Sequence, residues 1–138
     1  MAGRVYLDTS AVAKLFVAEK ESSDLREWLS SRLEPPTLVS SALLGVELIR
    51  LLGLVNPAMR DTANSFLAAD VDIVEITPPV LGDAAGVPPP RLRTLDAIHL
   101  ATALDLRDSL DVMLTYDKLL AEAARAAGLA VVSPGAAC

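Results

Sequence analysis

The 138-residue chain contains one cysteine, one histidine, one tryptophan, two tyrosines and two phenylalanines. The cysteine is Cys138, the last residue, so it cannot close an internal disulfide, and a reducing compartment fits. One His and one Cys argue strongly against a structural zinc site, which takes four such ligands. Long apolar runs are missing. The longest charge-free stretches, Pro35–Val46 and Ala126–Cys138, fall short of the ~20 residues a spanning helix needs. The opening MAGRVYLD lacks the apolar core of a secretory leader. We therefore expect a cytoplasmic protein with no membrane association. A basic excess is absent too, with 18 acidic against 12 basic residues and a net charge of −6. That argues against a general nucleic-acid binder, which usually carries a basic patch. It leaves room for an RNA-processing enzyme whose carboxylates hold cations and whose arginines gather on a rim.

What is present is aliphatic: apolar residues make up 52% of the chain. This length suits one domain over residues 1–138 and a buried core, and the composition argues against disorder. Short apolar runs alternate with helical patterns, which implies parallel strands joined by helices. Arg4–Asp8 reads as a buried strand and Ser10–Ala18 as a short helix. Ser22 or Ser23 caps a second helix running to about Leu33, and Pro35-Pro36 stops it. Thr37–Val39 is a brief strand. Ser40 or Ser41 then caps ALLGVELIRLLG, a helix apolar on nearly every face. Such a helix is buried on more than one side or covered by a partner. Pro57–Asp70 is a further helix. Val71–Ile76 is a strand whose imperfect alternation places it at an edge. Pro78–Gly86 is a helix, and Pro88-Pro89-Pro90 a stiff loop. Thr94 caps LDAIHLATALDLR. Asp111–Tyr116 is a strand, Asp117 starts DKLLAEAARAA, Gly128 ends it, and Ala130–Val132 is a last strand. The expected fold is α/β.

Four acids stand out against this pattern. Asp8 and Asp117 each follow an apolar strand. Asp96 lies in the first turn of an apolar helix. Glu47 is the only acid in its twelve-residue apolar helix. In open parallel sheets, sites form outside the carboxyl ends of strands, where Asp8 and Asp117 are placed. Each acid has a bland explanation. Asp8 and Asp117 are natural helix caps. Asp96 gains roughly 0.3–1 kcal/mol from a helix dipole. Glu47 pairs with Arg50 for ~0.2–0.5 kcal/mol. Together they suggest one pocket. Two charges ~4 Å apart cost on the order of 4 kcal/mol at an effective dielectric near 20, so such a pocket needs protons or a divalent cation. All-oxygen ligands select hard cations such as Mg2+ or Mn2+. Hard-metal carboxylate sites commonly handle phosphate esters.

The segments VYLDTSAVAKLF, ALLGVELIR, LRTLDAIHLATAL and MLTYDKLLAEAARAAGL carry these acids. In this order and at this length they resemble the PIN-domain superfamily, and within it the VapC-like toxins of toxin–antitoxin pairs. The resemblance implies a three-layer α/β/α fold with a 4–5-stranded parallel sheet. It implies a metal-dependent endoribonuclease with Asp8, Asp96 and Asp117 as metal ligands and Glu47 acting on the attacking water. Thr9, Ser10 and Thr115 are expected to help hold ligands or phosphate. It further implies an RNA substrate, a VapB-like antitoxin and a homodimer. The proline run at 88–90 departs from the simpler connection of relatives.

Lys14, Arg91, Arg93 and Lys118 flank the acids and are candidate RNA contacts; their bland reading is ordinary solvated charge. His99 lies three residues after Asp96 on the same helical face, suited either to packing or to proton transfer. Trp28 reads as core or partner surface. Leu25, Trp28, Leu29, Leu48 and Leu52 are candidate exposed apolar residues for a partner. Other enzyme classes fit less well. A haloacid-dehalogenase pattern wants Asp-x-Asp, where this chain has Asp8-Thr9-Ser10, and a receiver wants an acidic pair that is missing. The remaining alternative is a non-catalytic PIN-like domain that binds RNA or protein.

Overall fold

A computed structural model describes residues 3–136; Cys138 lies outside the described residues. The strands are β1 (Arg4–Leu7), β2 (Thr37–Ser41), β3 (Val71–Val74), β4 (Val112–Leu114) and β5 (Val131–Val132). The helices are α1 (Thr9–Phe16), α2 (Ser22–Ser30), α3 (Leu43–Val55), α4 (Arg60–Asp70), α5 (Pro78–Gly86), α6 (Thr94–Asp105) and α7 (Lys118–Ala126). All five strands are parallel, in the order β3-β2-β1-β4-β5. The sheet grows from β1 to one side through β2 and β3, then to the other through β4 and β5. The switch point therefore falls between β1 and β4, where open sheets bind ligands.

Side chains alternate across the sheet, as a period of two requires. Val5, Leu7, Val112 and Leu114 join α1, α2 and α3 in one core. Tyr6, Val39 and Met113 join α6 and α7 in the other. The result is the expected three-layer α/β/α arrangement with five strands. β3 lies at an edge, as its pattern predicts. Gly128 follows α7 with φ +97°, a left-handed conformation that glycine adopts without steric cost.

Several local expectations shift. α2 begins one residue after Glu21, whose side chain makes no cap bond, and it ends at Ser30 rather than Leu33. Ser22 is used elsewhere: its hydroxyl accepts the Glu19 N–H and donates to the Val17 carbonyl. β2 runs on to Ser41, so Ser40 and Ser41 are strand residues, though the Ser41 hydroxyl still accepts the N–H of Leu43, the first residue of α3, at 3.1 Å. Ser40 donates to the Leu7 carbonyl at 2.6 Å, which ties β2 to β1. The backbone of Arg93, not Thr94, caps α6. Pro57–Met59 forms a separate 3-10 turn ahead of α4.

The apolar helix α3 is buried along one stripe, Leu44, Leu48 and Leu52. Val46, Leu54 and Val55 stay exposed. Three expected partner residues thus belong to the core: Leu48 and Leu52 are buried, as is Leu25 on α2. Trp28 and Leu29 are half-buried against the same core. Among the described residues, no helix is long and apolar enough to cross a membrane.

Candidate active site

Asp8 leaves β1 at its carboxyl end and caps α1, its Oδ1 accepting the Ala11 N–H at 3.0 Å. It is 2% exposed. Two hydroxyls donate to its carboxylate. Ser10 reaches both oxygens, at 2.8 and 2.9 Å, and Thr115, just past β4, reaches Oδ2 at 2.7 Å. Burial pushes the Asp8 carboxyl up, and the hydrogen bonds from Thr115 and Ser10 offset part of that rise. Ser10 also accepts the Tyr116 N–H at 2.9 Å. Asp8, Ser10 and Thr115 therefore lock the ends of β1 and β4 together at the switch point.

Asp117 caps α7, accepting the Leu120 N–H at 2.8 Å. Its own N–H is held by the Thr115 hydroxyl at 3.1 Å. Asp96 sits in the first turn of α6. Its carboxyl is pushed up to about 6, first by burial and then by the charges of Asp117 and Asp8. The three aspartates thus share one electrostatic neighbourhood. Arg93 spans two of them, with Nε 3.9 Å from Asp96 and Nη2 3.8 Å from Asp117. Its side chain is 82% exposed, so solvent screens these contacts.

Glu47 projects from α3 and does not pair with Arg50. Its Oε1 accepts hydrogen bonds from the Thr9 hydroxyl and, at 2.7 Å, from His99 Nε2. Burial alone would raise this carboxyl, but the bonds from His99 and Thr9 outweigh it, and the net shift is downward. His99 is 1% exposed, and its Nδ1 lies 2.7 Å from the Tyr6 hydroxyl.

The donor chemistry matches a hard divalent cation: oxygen ligands only, with unbalanced negative charge. Among the described residues, no three acidic or histidine side chains already form a closed ligand set. The aspartates stand as neighbours, not as a finished coordination sphere.

The model of the PIN domain family matches residues 5–126. This chain belongs to the PIN-domain family. Ribonuclease VapC47 of Mycobacterium tuberculosis is 37% identical over 133 residues, covering 96% of this chain and 98% of the relative. Ribonuclease VapC35 of the same species is 45% identical over 135 residues, with the same coverage of 96% and 98%. The solved VapC20 of M. tuberculosis, described as a sarcin-ricin loop cleaving toxin, superposes with a TM-score of 0.71 at 20% identity. It covers 94% of this chain and 99% of that one. A toxin–antitoxin complex from Klebsiella pneumoniae gives 0.69 at 20% identity, covering 94% and 97%. These two structures show the fold.

Within this PIN domain, the four acids picked out in sequence come to the carboxyl edge of the sheet or the helix ends beside it. Thr9, Ser10 and Thr115 come with them and hold carboxylates, Thr9 that of Glu47 and the other two that of Asp8. Lys14 does not stand free. It is buried, paired with Glu19 and Glu21 at 3.3 and 3.1 Å, and lies over the Tyr116 ring at 4.6 Å. Its expected RNA contact is therefore not carried forward. Arg91, Arg93 and Lys118 are exposed. Lys118 and Arg125 line a groove of about 760 Å³ together with Asp117. Sequence reading missed Tyr6. The available signal was a hydroxyl-bearing residue inside an apolar strand, two positions before Asp8 and so on its side of the sheet.

Proposed function

We propose that this PIN domain is a divalent-metal-dependent endoribonuclease and the toxin of a toxin–antitoxin pair. The observation that carries the reading is the shared field of Asp8, Asp96 and Asp117 at the β1–β4 switch point, which pushes Asp96 up to about 6. The full-length likeness to VapC ribonucleases supports the reaction class.

Asp8, Asp96 and Asp117 would hold Mg2+ or Mn2+. When bound, such an ion supplies positive charge to the phosphate and acidifies a water. The chain's own residues do the rest. Ser10 and Thr115 keep the Asp8 carboxylate fixed. Glu47 takes the proton of the attacking water as its oxygen bonds to phosphorus and the ribose oxygen leaves. Arg91, Arg93 and Lys118 contact flanking phosphates. A VapB-like antitoxin and a second copy of the chain are the proposed protein partners. The exposed Val46, Leu54 and Val55 of α3 are consistent with a covered surface.

Purified protein incubated with a mixed RNA pool tests this. Cleavage should require added Mg2+ or Mn2+ and stop with EDTA. RNA binding without cutting under every divalent ion tried would favour the non-catalytic reading instead.

A further inference from the structure

A chain of polar side chains runs from the core to the catalytic edge, and the reaction outlined above uses only its glutamate, Glu47. Tyr6 on β1, His99 on α6, Glu47 on α3 and Thr9 on α1 form it. The Tyr6 hydroxyl is 2.7 Å from His99 Nδ1, and His99 Nε2 is 2.7 Å from Glu47 Oε1. Tyr6 is 0% and His99 1% exposed.

The chemistry of the two ends sets the direction of the hydrogen bonds. A carboxylate only accepts, so Nε2 carries the proton that faces Glu47. In the neutral imidazole Nδ1 is then the acceptor, and the Tyr6 hydroxyl donates to it. The carboxylate end thus fixes the tautomer, and Tyr6 completes it from the core. Both bonds to Glu47, from Thr9 and from His99, fall on Oε1. Among the described residues no side chain or backbone group bonds Oε2, and the Glu47 side chain is 19% exposed. One oxygen is therefore clamped and the other is open to water.

A glutamate loses rotamer freedom when it is held still. The clamp imposes that loss on folding, before any substrate arrives. The clamp also joins the elements that carry the acids. Tyr6 lies two residues before Asp8, Thr9 directly follows it, and His99 lies one helical turn after Asp96.

We propose that His99 is a positioning residue for phosphodiester hydrolysis: anchored by Tyr6, it holds Glu47 by Oε1 and leaves Oε2 to take the proton of the attacking water. This deepens the nuclease reading and rests on it.

The experiment compares wild type, His99→Leu, His99→Gln, Tyr6→Phe, Glu47→Gln and Glu47→Gln/His99→Leu in steady-state RNA cleavage. Mn2+ affinity and thermal midpoint are measured alongside. His99→Leu should lower kcat by about 10–100-fold, with KM and Mn2+ affinity unchanged. His99→Gln places an amide N–H near the old Nε2 and should recover much of that loss. Tyr6→Phe keeps the imidazole and should lower kcat by a smaller factor. In the Glu47→Gln background, His99→Leu should cost almost nothing further, because both changes remove one function. Imidazole 15N shifts of the metal-free protein should show protonation at Nε2 and not Nδ1. Equal losses from His99→Leu in both backgrounds, a kcat loss that Gln does not relieve, or protonation at Nδ1 would overturn the proposal. If His99→Leu does not fold, Tyr6→Phe and the 15N shifts decide. A wild-type protein inactive under every metal would sink the nuclease reading itself, while the tautomer would still be measured.

Discussion

Glu47 and His99 leave helices on opposite faces of the sheet, 52 positions apart in the chain, and meet at 2.7 Å. The contact closes the carboxyl edge of the sheet over β1, where Asp8 emerges. Both helix layers therefore brace the edge that carries the acids.

Asp8 has two duties that substitution separates. Asn caps a helix as well as Asp does, so Asp8→Asn keeps the bond from the Ala11 N–H. It should abolish RNA cleavage while unfolding in urea within about 1 kcal/mol of the parent. Asp8→Ala loses the cap and takes from the buried Thr115 hydroxyl, and from that of Ser10, the carboxylate they donate to. Its stability should fall by roughly 2 kcal/mol or more. Parental cleavage rates in Asp8→Asn would remove the residue from the site.

Asp96 makes the metal-free protein sensitive to pH. Its carboxyl lies at about 6 in the fold, above the ordinary 3.8. The folded state binds this proton more tightly than the unfolded chain does. The stabilisation is complete below about pH 3.8 and is lost as pH rises through about 6. Asp8, also raised, acts in the same direction. Urea midpoints with EDTA, compared with those of Asp96→Asn, isolate the effect. Carboxyl NMR should show Asp96 titrating near 6, and lower in Asp117→Asn. A flat difference between the two proteins across that window would contradict the shared field.

The cations divide into two kinds. Neutralising Arg91, Arg93 or Lys118 should reduce the slope of log affinity against log salt by about one per lost phosphate contact. Lys14→Met should leave the slope alone. It leaves Glu21 without the ammonium that pairs with it, so the urea midpoint should fall. RNA-binding titrations in catalytically dead Asp8→Asn at several salt concentrations, with urea melts, distinguish the two behaviours. A slope that changes only for Lys14 would reverse the assignment.

Helix α3 offers a contrast within two residues. Leu48 is 0% exposed and Val46 60%. Leu48→Ala should cost about 2–5 kcal/mol by leaving a cavity in the core under α3. Val46→Ala should fall within about 0.5 kcal/mol of the parent. Similar losses for both, read from urea denaturation of the protein without antitoxin, would mean that a second copy already covers this face of α3.

Much of this was legible in one dimension. The apolar strands before Asp8 and Asp117, the caps those acids form and the edge position of β3 follow from local pattern and short-range hydrogen bonding. The shifts came where several serines or threonines competed. Ser22, Ser40 and Thr94 each read as a cap, yet Ser22 and Ser40 bond backbone carbonyls and Thr94 lies inside its helix. A hydroxyl's choice of partner depends on which backbone groups tertiary packing brings near it. The buried stripe of α3 was hidden for a related reason. A helix apolar all round has no periodicity to mark its inner face.

The sequence alone determined the parallel α/β class, the family and the four acids, because strand period, helix caps and motif spacing are properties of neighbours in the chain. Only the tertiary structure decided that Thr115 holds Asp8 across 107 positions, that Lys14 is spent on Glu19 and Glu21, and that Tyr6 reaches Glu47 through His99. Those pairings depend on the strand order, which brings β1 between β2 and β4, and no local pattern encodes which distant side chain will lie within hydrogen-bond reach.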